Sequence, residues 1–412
     1  MPDWRRDAHA FASAAERHLR RGLIRAERIV DRDPYIAVGY RGYGTRDGAL
    51  VLGRVLQADE AMPEVTGGSR WRNLRAAITR LESDPMPHAR VKVSVGGAVD
   101  DAREIVADDE GFFREWIGVR EPLPEGGWVP VRLSIAGQMD RTLANPAESV
   151  SQVLVPPPGA AFGVISDMDD TVLQSNIASF LRAARLVLLE NAQTRMPFHG
   201  VAAFYRALQA GTGLTGPNPI FYVSKSPWNL YDVIAQFLER QEIPMGPLLL
   251  RDWDLVPERW ARPGKARPAS GTERGLDAER VKRAGVRGGA PTNKAFKTRE
   301  IEMIFQTYPS LPFILVGDTT QKDPEIYREI IRAFPGRVRA VYIRNVAATA
   351  DRSTAVKKLA EEVSAESATL ILADDTAAMA VHAAEQGWID PASLPSIAGD
   401  MRADEGRTGQ KQ

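Results

Sequence analysis

The chain has 412 residues, of which 44% are hydrophobic and 26% are charged, and its 53 basic residues balance its 53 acidic residues. This composition is typical of a soluble globular protein with two or three domains, and the zero net charge gives no indication of nucleic acid binding. The chain has no cysteine, which excludes disulfides and cysteine-ligated metals, and it has no apolar run long enough to predict a transmembrane helix. The first residues lack the apolar core of a signal peptide, so we expect a cytoplasmic protein.

The first predicted element is an amphipathic helix over residues 3–30, in which apolar residues from Trp4 to Ile29 recur at intervals of three and four. Arginines make its polar face basic. Such a helix usually packs against its own domain, and the alternative is that it lies on an anionic membrane surface. Residues 1–34 are therefore assigned to an N-terminal amphipathic helix, with peripheral membrane association as the second interpretation.

The hydrophobic period then changes to two, which is typical of strands. Alternating segments occupy residues 35–44, 49–55, 91–95, 128–135 and 150–155. A turn near residue 108 precedes a further strand, and a helix at about 69–82 interrupts the series. Short strands separated by turns predict a β-rich, sandwich-like domain over residues 35–155. No residues with catalytic chemistry cluster within it, so the sequence predicts no specific function for this domain beyond a role in binding or positioning.

Three prolines at 156–158 indicate a rigid linker, after which strands and helices alternate. Apolar strands are predicted at 162–165, 219–223, 246–250, 311–316, 337–343 and 368–373, and helices include 173–192, 352–365 and 375–387. This alternation predicts an α/β domain with a doubly wound parallel sheet over residues 156–397. The polar segment 398–412 is predicted to be a disordered tail.

Two of the predicted strands, at 162–165 and 311–316, end in carboxylates. Their acidic residues are Asp167, Asp169, Asp170, Asp318 and Asp323. Ligands of open α/β sheets lie at the carboxyl ends of the strands. Clustered carboxylates repel one another unless a cation neutralises them, and an oxygen-rich cluster suits Mg²⁺.

A third predicted strand, at 219–223, ends in Ser224. Ser226 is predicted to cap a helix whose first residue is Pro227. A hydroxyl at a helix N-terminus is a favourable position for a phosphate, because the free N–H groups and the helix dipole attract an anion. A helix cap without a ligand explains these residues equally well.

Together these motifs resemble those of the haloacid dehalogenase (HAD) superfamily: D-x-D-x-T at 167–171, a strand ending in Ser224, a lysine at a helix start, and G-D-x4-D at 317–323. The resemblance implies a HAD-like fold in which Asp167 is the nucleophile that forms an aspartyl-phosphate. It implies that Asp169 is the general acid and then the general base. Lys297, with Lys294 as the alternative, would neutralise the nucleophile and the phosphoryl group.

The same resemblance implies the ligands of the cation and of the phosphate. Asp167, Asp318 and the backbone carbonyl of Asp169 would hold Mg²⁺. Asp323 would act on the metal directly, through water, or by orienting Lys297. Thr171 and Ser224 would bind the phosphoryl group.

A longer set of motifs is similar to the catalytic domain of the actin-patch-associated phosphatidate phosphatases and their bacterial relatives. It comprises residues 167–171, 222–230, 249–253, 297–301, 317–327 and 342–346. The similarity implies an Mg²⁺-dependent phosphatase that converts phosphatidate to diacylglycerol. Two residues depart from the family pattern: Thr319 follows Asp318 where members often have Ser, and Phe296 precedes the lysine where members usually have His. Both departures bear on the choice of substrate.

Residues 257–297 carry an excess of positive charge. This segment either meets an anionic lipid surface or a phosphorylated substrate, or is a solvated loop. Two other functions remain as alternatives to phosphatidate hydrolysis. One is a phosphatase acting on another soluble or macromolecular phosphoester, and the other is a catalytically silent scaffold.

Overall fold

The computed structural model describes residues 35–57, 85–97, 102–136, 148–168, 200–213, 216–251, 293–319, 322–345, 350–364 and 368–409. Several predicted elements lie outside these residues: the helices at 3–30, 69–82 and 173–192, and the loop at 257–292. Within the described residues, no helix is long and apolar enough to cross a membrane.

The strands that precede the linker form one seven-stranded sheet. They are β1 (Tyr35–Thr45), β2 (Gly48–Gln57), β3 (Arg90–Val95), β4 (Arg103–Val106), β5 (Phe112–Gly118), β6 (Gly127–Ile135) and β7 (Ser149–Val155). Their order across the sheet is β4-β3-β6-β7-β1-β2-β5. Neighbours are antiparallel except β1 and β7, which run parallel. The predicted β-rich character of the N-terminal half is confirmed.

This sheet must curl, because its two edge strands follow each other directly in the chain. β4 ends at Val106 and β5 begins at Phe112, so the connection reaches at most about 20 Å. The edges of a flat seven-stranded sheet would be about 29 Å apart. A turn closes the connection, in which the Asp108 carboxylate accepts hydrogen bonds from the backbone N–H groups of Glu110 and Phe112, each at 2.9 Å. A single curled sheet, rather than the two stacked sheets of a sandwich, therefore encloses the core of this half.

The second sheet has six strands, all parallel to their neighbours. They are β8 (Gly163–Asp167), β9 (Ile220–Pro227), β10 (Leu248–Arg251), β11 (Phe313–Asp318), β12 (Val338–Arg344) and β13 (Thr369–Ala373). The order is β10-β9-β8-β11-β12-β13. Both faces of the central strands are buried, which explains why they are continuous apolar runs in the sequence. The predicted parallel sheet is confirmed.

Helices alternate with these strands along the chain. They are α1 (Val201–Ala210), α2 (Tyr231–Arg240), α3 (Asn293–Thr307), α4 (Asp323–Ala333), α5 (Ala350–Ser364), α6 (Thr376–Glu385) and α7 (Leu394–Gly409). The helices predicted at 352–365 and 375–387 are confirmed as α5 and α6.

The prediction of a disordered tail from residue 398 is wrong as far as Gly409, because α7 extends to that residue. Ile397 of this helix is buried in the core and Met401 packs against it. Arg206 of α1 forms an ion pair with Asp400 at 3.0 Å. These tertiary contacts stabilise α7, although its polar composition gives no sign of them. Most helices in proteins depend on packing rather than on intrinsic propensity.

The parallel sheet has a switch point between β8 and β11. From β8 the chain runs outward to β9 and β10, and then crosses back to β11 on the other side of β8. The winding direction therefore reverses between these two central strands. In open α/β sheets, ligands bind outside the carboxyl ends of the strands at such a position.

The two sheets share one hydrophobic core. Four residues of β1 and β2 belong to the same buried cluster as the parallel sheet: Tyr40, Tyr43, Leu50 and Leu52. Tyr40 stacks on Trp228 with ring centroids 5.0 Å apart, and the Tyr43 ring meets the edge of Phe221 at 5.6 Å. The backbone N–H of Arg41 donates to the Tyr231 hydroxyl at 2.8 Å. The β-rich half is therefore packed firmly on the α/β half.

Candidate active site

Asp167 is the last residue of β8 and lies at the switch point of the parallel sheet. Its side chain is only 3% exposed. The preceding residue holds the strand end in place, because the Ser166 hydroxyl donates to the Asp167 carbonyl at 2.8 Å. Ser166 Oγ also lies 2.6 Å from the Tyr205 hydroxyl. Since the single Ser166 proton is used for the carbonyl, Tyr205 is the donor in this second bond.

Asp318 and Asp323 lie on the other side of the switch point. Asp318 is the last residue of β11, and Asp323 is the first residue of α4. The Asp318 N–H donates to Asp323 Oδ2 at 3.3 Å, and both side chains are buried. A negative charge is favourable at the position of Asp323, because the N-terminus of a helix carries a partial positive charge.

Gly317 allows Asp323 to approach the end of β11. A Cβ atom at this position would lie 2.8 Å from both Cβ and Oδ2 of Asp323, and 3.0 Å from a ring carbon of Tyr327. Any side chain there would overlap the carboxylate. The glycine of the G-D-x4-D pattern is thus needed for a close approach and not for an unusual backbone angle.

Lys297 of α3 lies between two of these carboxylates. Its Nζ is 2.7 Å from Asp167 Oδ1 and 2.8 Å from Asp323 Oδ1, and its side chain is 2% exposed. Lys294, the alternative from the sequence, instead pairs with Glu329 at 2.5 Å in a partly exposed position. The structure therefore brings Lys297, and not Lys294, to the acidic residues.

Burial sets the electrostatics of this cluster. It raises the pKa of Asp167 well above its ordinary value, and the neighbouring Asp323 carboxylate raises it further, against the opposing effect of Lys297. Burial alone would lower the pKa of Lys297, but the carboxylates of Asp323 and Asp167 outweigh it, so that pKa is raised. Lys297 is consequently a permanent cation at the centre of the site.

The carboxylates fit a divalent metal ion. Asp167, Asp318 and Asp323 each place one carboxylate oxygen within 4.8 Å of the others. Asp167 Oδ1 faces Lys297 Nζ at 2.7 Å, whereas the buried Asp167 Oδ2 has no hydrogen-bond partner among the described residues. Three carboxylates and one ammonium leave a net charge of about −2 when all are ionised, and hard oxygen donors suit Mg²⁺.

Ser224 lies at the same edge of the sheet but is already hydrogen-bonded. It follows Val223, the register partner of Asp167, and it is completely buried. Its hydroxyl donates to Ser226 Oγ at 2.8 Å and accepts from the Ser226 N–H at 3.1 Å.

The predicted helix cap at Ser226 is wrong. β9 continues through Pro227, a short 3₁₀ turn follows at Trp228–Leu230, and α2 begins at Tyr231 without a side-chain cap. Pairing of Pro227 with Arg251 of β10 extends the strand, so the residue that was expected to open a helix is still in the sheet.

Two of the predicted site residues, Asp169 and Thr171, lie outside the described residues. Of the two departures from the family pattern, Phe296 is buried in the core beside Lys297. Thr319 is also buried, and its N–H donates to the Arg344 carbonyl at 2.9 Å. Both residues therefore have structural contacts next to the acidic cluster.

Two residues near the site were missed in the sequence, Tyr205 and Arg352. Arg352 of α5 donates to the Thr319 carbonyl at 3.0 Å and to Glu325 of α4 at 3.1 Å, so it holds the loop after β11. Gly317 is visible in the G-D pattern, but its contact with Asp323 is not. Tyr205 and Arg352 lie on helices whose sequences give no sign that they reach the sheet edge.

A known protein family matches the part of the chain that contains this site. Residues 162–277 and 276–345 match the family described as "Phosphatidate phosphatase APP1, catalytic domain". The matched region begins just before β8 and ends just after β12, and it includes all of the acidic cluster and Lys297.

Two curated fungal proteins are similar over the same half of the chain. Phosphatidate phosphatase APP1 of Saccharomyces cerevisiae is 25% identical over 226 residues, which is 53% of this chain and 32% of the yeast protein. An uncharacterized protein of Schizosaccharomyces pombe is 24% identical over 184 residues, 44% of this chain and 25% of that protein. The chain thus matches about a third or less of the length of these relatives.

Among solved structures, the PilB minor pilin of Streptococcus sanguinis matches with a TM-score of 0.23 and 8% identity, over 72% of this chain and 86% of the pilin. A TM-score this low carries no argument about the fold. The family match and the yeast relative concern the part of the chain that bears the buried carboxylates. That part, residues 162–345, is similar to the catalytic domain of phosphatidate phosphatase APP1.

Proposed function

We propose that this chain is an Mg²⁺-dependent phosphatase with a HAD-like catalytic domain, which hydrolyses a phosphate monoester through an aspartyl-phosphate on Asp167. Its substrate would be phosphatidate and its product diacylglycerol. The observation that carries the proposal is the position of Lys297 Nζ, 2.7 Å from Asp167 and 2.8 Å from Asp323 at the switch point of a parallel sheet. A buried cation beside a buried carboxylate at a ligand-binding edge suits the attack of that carboxylate on an anionic phosphate.

The cluster of Asp167, Asp318 and Asp323 would hold the metal ion, together with the backbone carbonyl of Asp169. Bound Mg²⁺ would offset the negative charge of the phosphoryl group and of the carboxylates. Asp323 would have a second role besides holding the metal ion, because its hydrogen bond with Lys297 fixes the direction of the ammonium group.

In the first half-reaction, a carboxylate oxygen of Asp167 attacks phosphorus. The new oxygen–phosphorus bond forms as the ester oxygen leaves, and Asp169 supplies the proton that turns this oxygen into an alcohol. Lys297 favours the ionised Asp167 carboxylate that makes the attack, in opposition to the burial that raises its pKa, and it opposes the charge of the incoming phosphate.

In the second half-reaction, water attacks the phosphorus of the aspartyl-phosphate. Asp169, now a carboxylate, accepts a proton from this water, and the bond between Asp167 and phosphorus breaks. Inorganic phosphate is released and both carboxyl groups return to their starting states. Acid–base catalysis contributes about 10²–10⁴-fold, so positioning and charge stabilisation must supply most of an acceleration that reaches ~10²¹-fold for monoesters.

The choice of phosphatidate is supported by the yeast relative, which is named a phosphatidate phosphatase. The basic segment at 257–297, apart from Lys294 and Lys297, which pair with acids, offers positive charge that an anionic lipid surface would attract. We therefore propose that the protein works in the cytoplasm, at the surface of a membrane that contains its substrate.

The direct test is phosphate release from phosphatidate in mixed micelles, measured beside an aryl phosphate and a panel of soluble phosphate esters. Each substrate is assayed with Mg²⁺ and with chelator. We expect release that depends on Mg²⁺ and prefers phosphatidate. Release only from soluble esters would retain the chemistry and reject the lipid, and no release from any substrate would favour the scaffold.

The nucleophile is tested with Asp167→Asn, which keeps the shape of the side chain. The matched control is Asp109→Asn, at an exposed surface acid that pairs with the exposed His88 at 3.0 Å. We expect the first variant to lose turnover while remaining folded, and the second to retain it. Acid quenching during turnover of radiolabelled substrate should leave label on the wild-type chain but not on Asp167→Asn. Normal turnover by that variant would refute the assignment.

A further inference from the structure

We propose that Arg114 of the β-rich sheet is a positioning residue for Lys297, acting through the carboxylate of Glu300. The sequence predicts only a general role in binding or positioning for the β-rich half, and this role of Arg114 connects that half with the reaction. It rests on the proposed function, because Lys297 is taken as the cation that acts on Asp167.

The first observation is a buried ionic contact between the two halves of the protein. Glu300 of α3 has a side chain that is completely buried. Arg114 of β5 binds it with both ends of its guanidinium: Nη1 donates to Oε1 at 2.8 Å and Nη2 donates to Oε2 at 2.6 Å. Nη2 also lies 3.6 Å from the sulfur of Met303, one turn farther along α3. One guanidinium therefore contacts two successive turns of this helix.

The second observation is the direction in which Arg114 points. Successive residues of a strand point to opposite faces, and its neighbour Phe113 is buried in the core of the curled sheet. Arg114 consequently points out of that core and towards α3. Its register partner on β2 is Leu52, which is buried in the core shared by the two halves. The guanidinium thus projects from a sheet that is packed directly on the catalytic half.

The third observation is the spacing on α3. Lys297 and Glu300 are three residues apart, so they lie on the same side of the helix about one turn from each other. Any rotation or sliding of α3 that moves Glu300 also moves the backbone of Lys297. The ammonium must stay within hydrogen-bonding distance of Asp167 and Asp323 at once, at 2.7 and 2.8 Å.

Apolar contacts alone would not fix this position as closely. Ile301, Ile304 and Phe305 of α3 are buried in the shared core, but apolar burial is not directional. The two parallel hydrogen bonds of an arginine–carboxylate pair are directional. They therefore restrict both the rotation of α3 about its axis and its sliding along that axis. A displacement of about 1 Å at a catalytic group can reduce turnover by about a hundredfold.

Two variants separate positioning from mere stabilisation of the interface. Arg114→Lys keeps the positive charge opposite Glu300 but lacks the planar, two-pronged geometry. Arg114→Met removes both. The control Tyr231→Phe removes a different contact between the halves, the hydrogen bond from the Arg41 backbone, and leaves α3 untouched.

We expect kcat for phosphate release to fall by about tenfold in Arg114→Lys and by about a hundredfold in Arg114→Met. KM should stay within about twofold in both, since the substrate contacts are unchanged. Tyr231→Phe should keep the wild-type kcat. The proposal is overturned if folded Arg114→Lys has the wild-type kcat, or if Tyr231→Phe loses as much turnover as Arg114→Lys. If Arg114→Met does not fold, the lysine variant decides.

Amide hydrogen exchange of the full chain, without substrate, gives a readout that is independent of turnover. The peptide that covers α3 should exchange at least about tenfold faster in Arg114→Lys than in the wild type, and at the wild-type rate in Tyr231→Phe. Unchanged exchange in the lysine variant would overturn the proposal. If the wild-type chain releases no phosphate from any substrate, the proposed function fails, while the exchange rates still decide whether Arg114 positions α3.

Discussion

Replacement of Gly317 by alanine should damage the site without removing any functional group. The new Cβ would lie 2.8 Å from Cβ and Oδ2 of Asp323, whereas carbon atoms in contact prefer about 3.5–4.0 Å. Asp323 must therefore move by more than half an ångström, or the strand must shift by a similar distance. The ring carbon of Tyr327 at 3.0 Å blocks movement in that direction.

The displacement acts on the two contacts that Asp323 makes. Its Oδ1 accepts from Lys297 at 2.8 Å, and its Oδ2 accepts from the Asp318 N–H at 3.3 Å. The second contact is already long, so we expect it to break. Overpacking of this kind typically costs about 1–3 kcal/mol of stability, and misplacement of the lysine should lower kcat by about 10–100-fold.

The assay compares Gly317→Ala with Gly159→Ala, for which nothing lies within 4 Å of the added Cβ. Thermal unfolding and phosphate release are measured for both. The control should match the wild type in both measurements. Wild-type turnover and unfolding temperature in Gly317→Ala would show that the loop after β11 adapts freely, and would refute the reasoning.

Three further predictions concern other contacts. Lys297→Met should reduce phosphate release by at least about 10²-fold, whereas Lys294→Met, at a surface ion pair, should stay near the wild type; equal losses would mean that the choice between them is wrong. Gly399→Ala should raise the free energy of unfolding by about 0.5–1 kcal/mol, because glycine is unfavourable inside a helix and nothing lies within 4 Å of the new Cβ; no change would argue against a helix there. Tyr205→Phe removes the donor to the buried Ser166 hydroxyl and should lower denaturant stability by about 1–2 kcal/mol; an unchanged midpoint would show that this bond contributes nothing.

The parallel sheet was predictable because its signals are local. Each strand is a short apolar run, and the acids that follow β8 and β11 mark the strand ends. Asp167 and Asp318 meet because strands of a parallel sheet share one carboxyl edge, which follows from topology without any knowledge of side-chain packing. The choice between Lys294 and Lys297 needed the structure, since both occupy the first turns of the same helix.

The features that were missed depend on contacts between distant residues. The curling of the first sheet follows from register and from the short connection between β4 and β5, neither of which leaves a compositional signal. Arg114 and Glu300 are 186 positions apart, and each looks like an ordinary surface charge in the sequence. The polar tail was misjudged for the same reason, because Ile397 and Met401 stabilise α7 only through the core on which they pack.

The core shared by the two sheets has a consequence for how the chain unfolds. Removal of the β-rich half would leave an apolar patch on the α/β half. A fragment that begins after the prolines at 156–158 would expose the surface that Tyr40, Tyr43, Leu50 and Leu52 now cover, and exposed apolar patches promote aggregation. The proline linker therefore separates two halves of the sequence that do not fold independently of each other. The intact chain should melt in one cooperative transition detected equally by probes in either half, and a transplanted catalytic half should remain soluble only if the curled sheet is transferred with it.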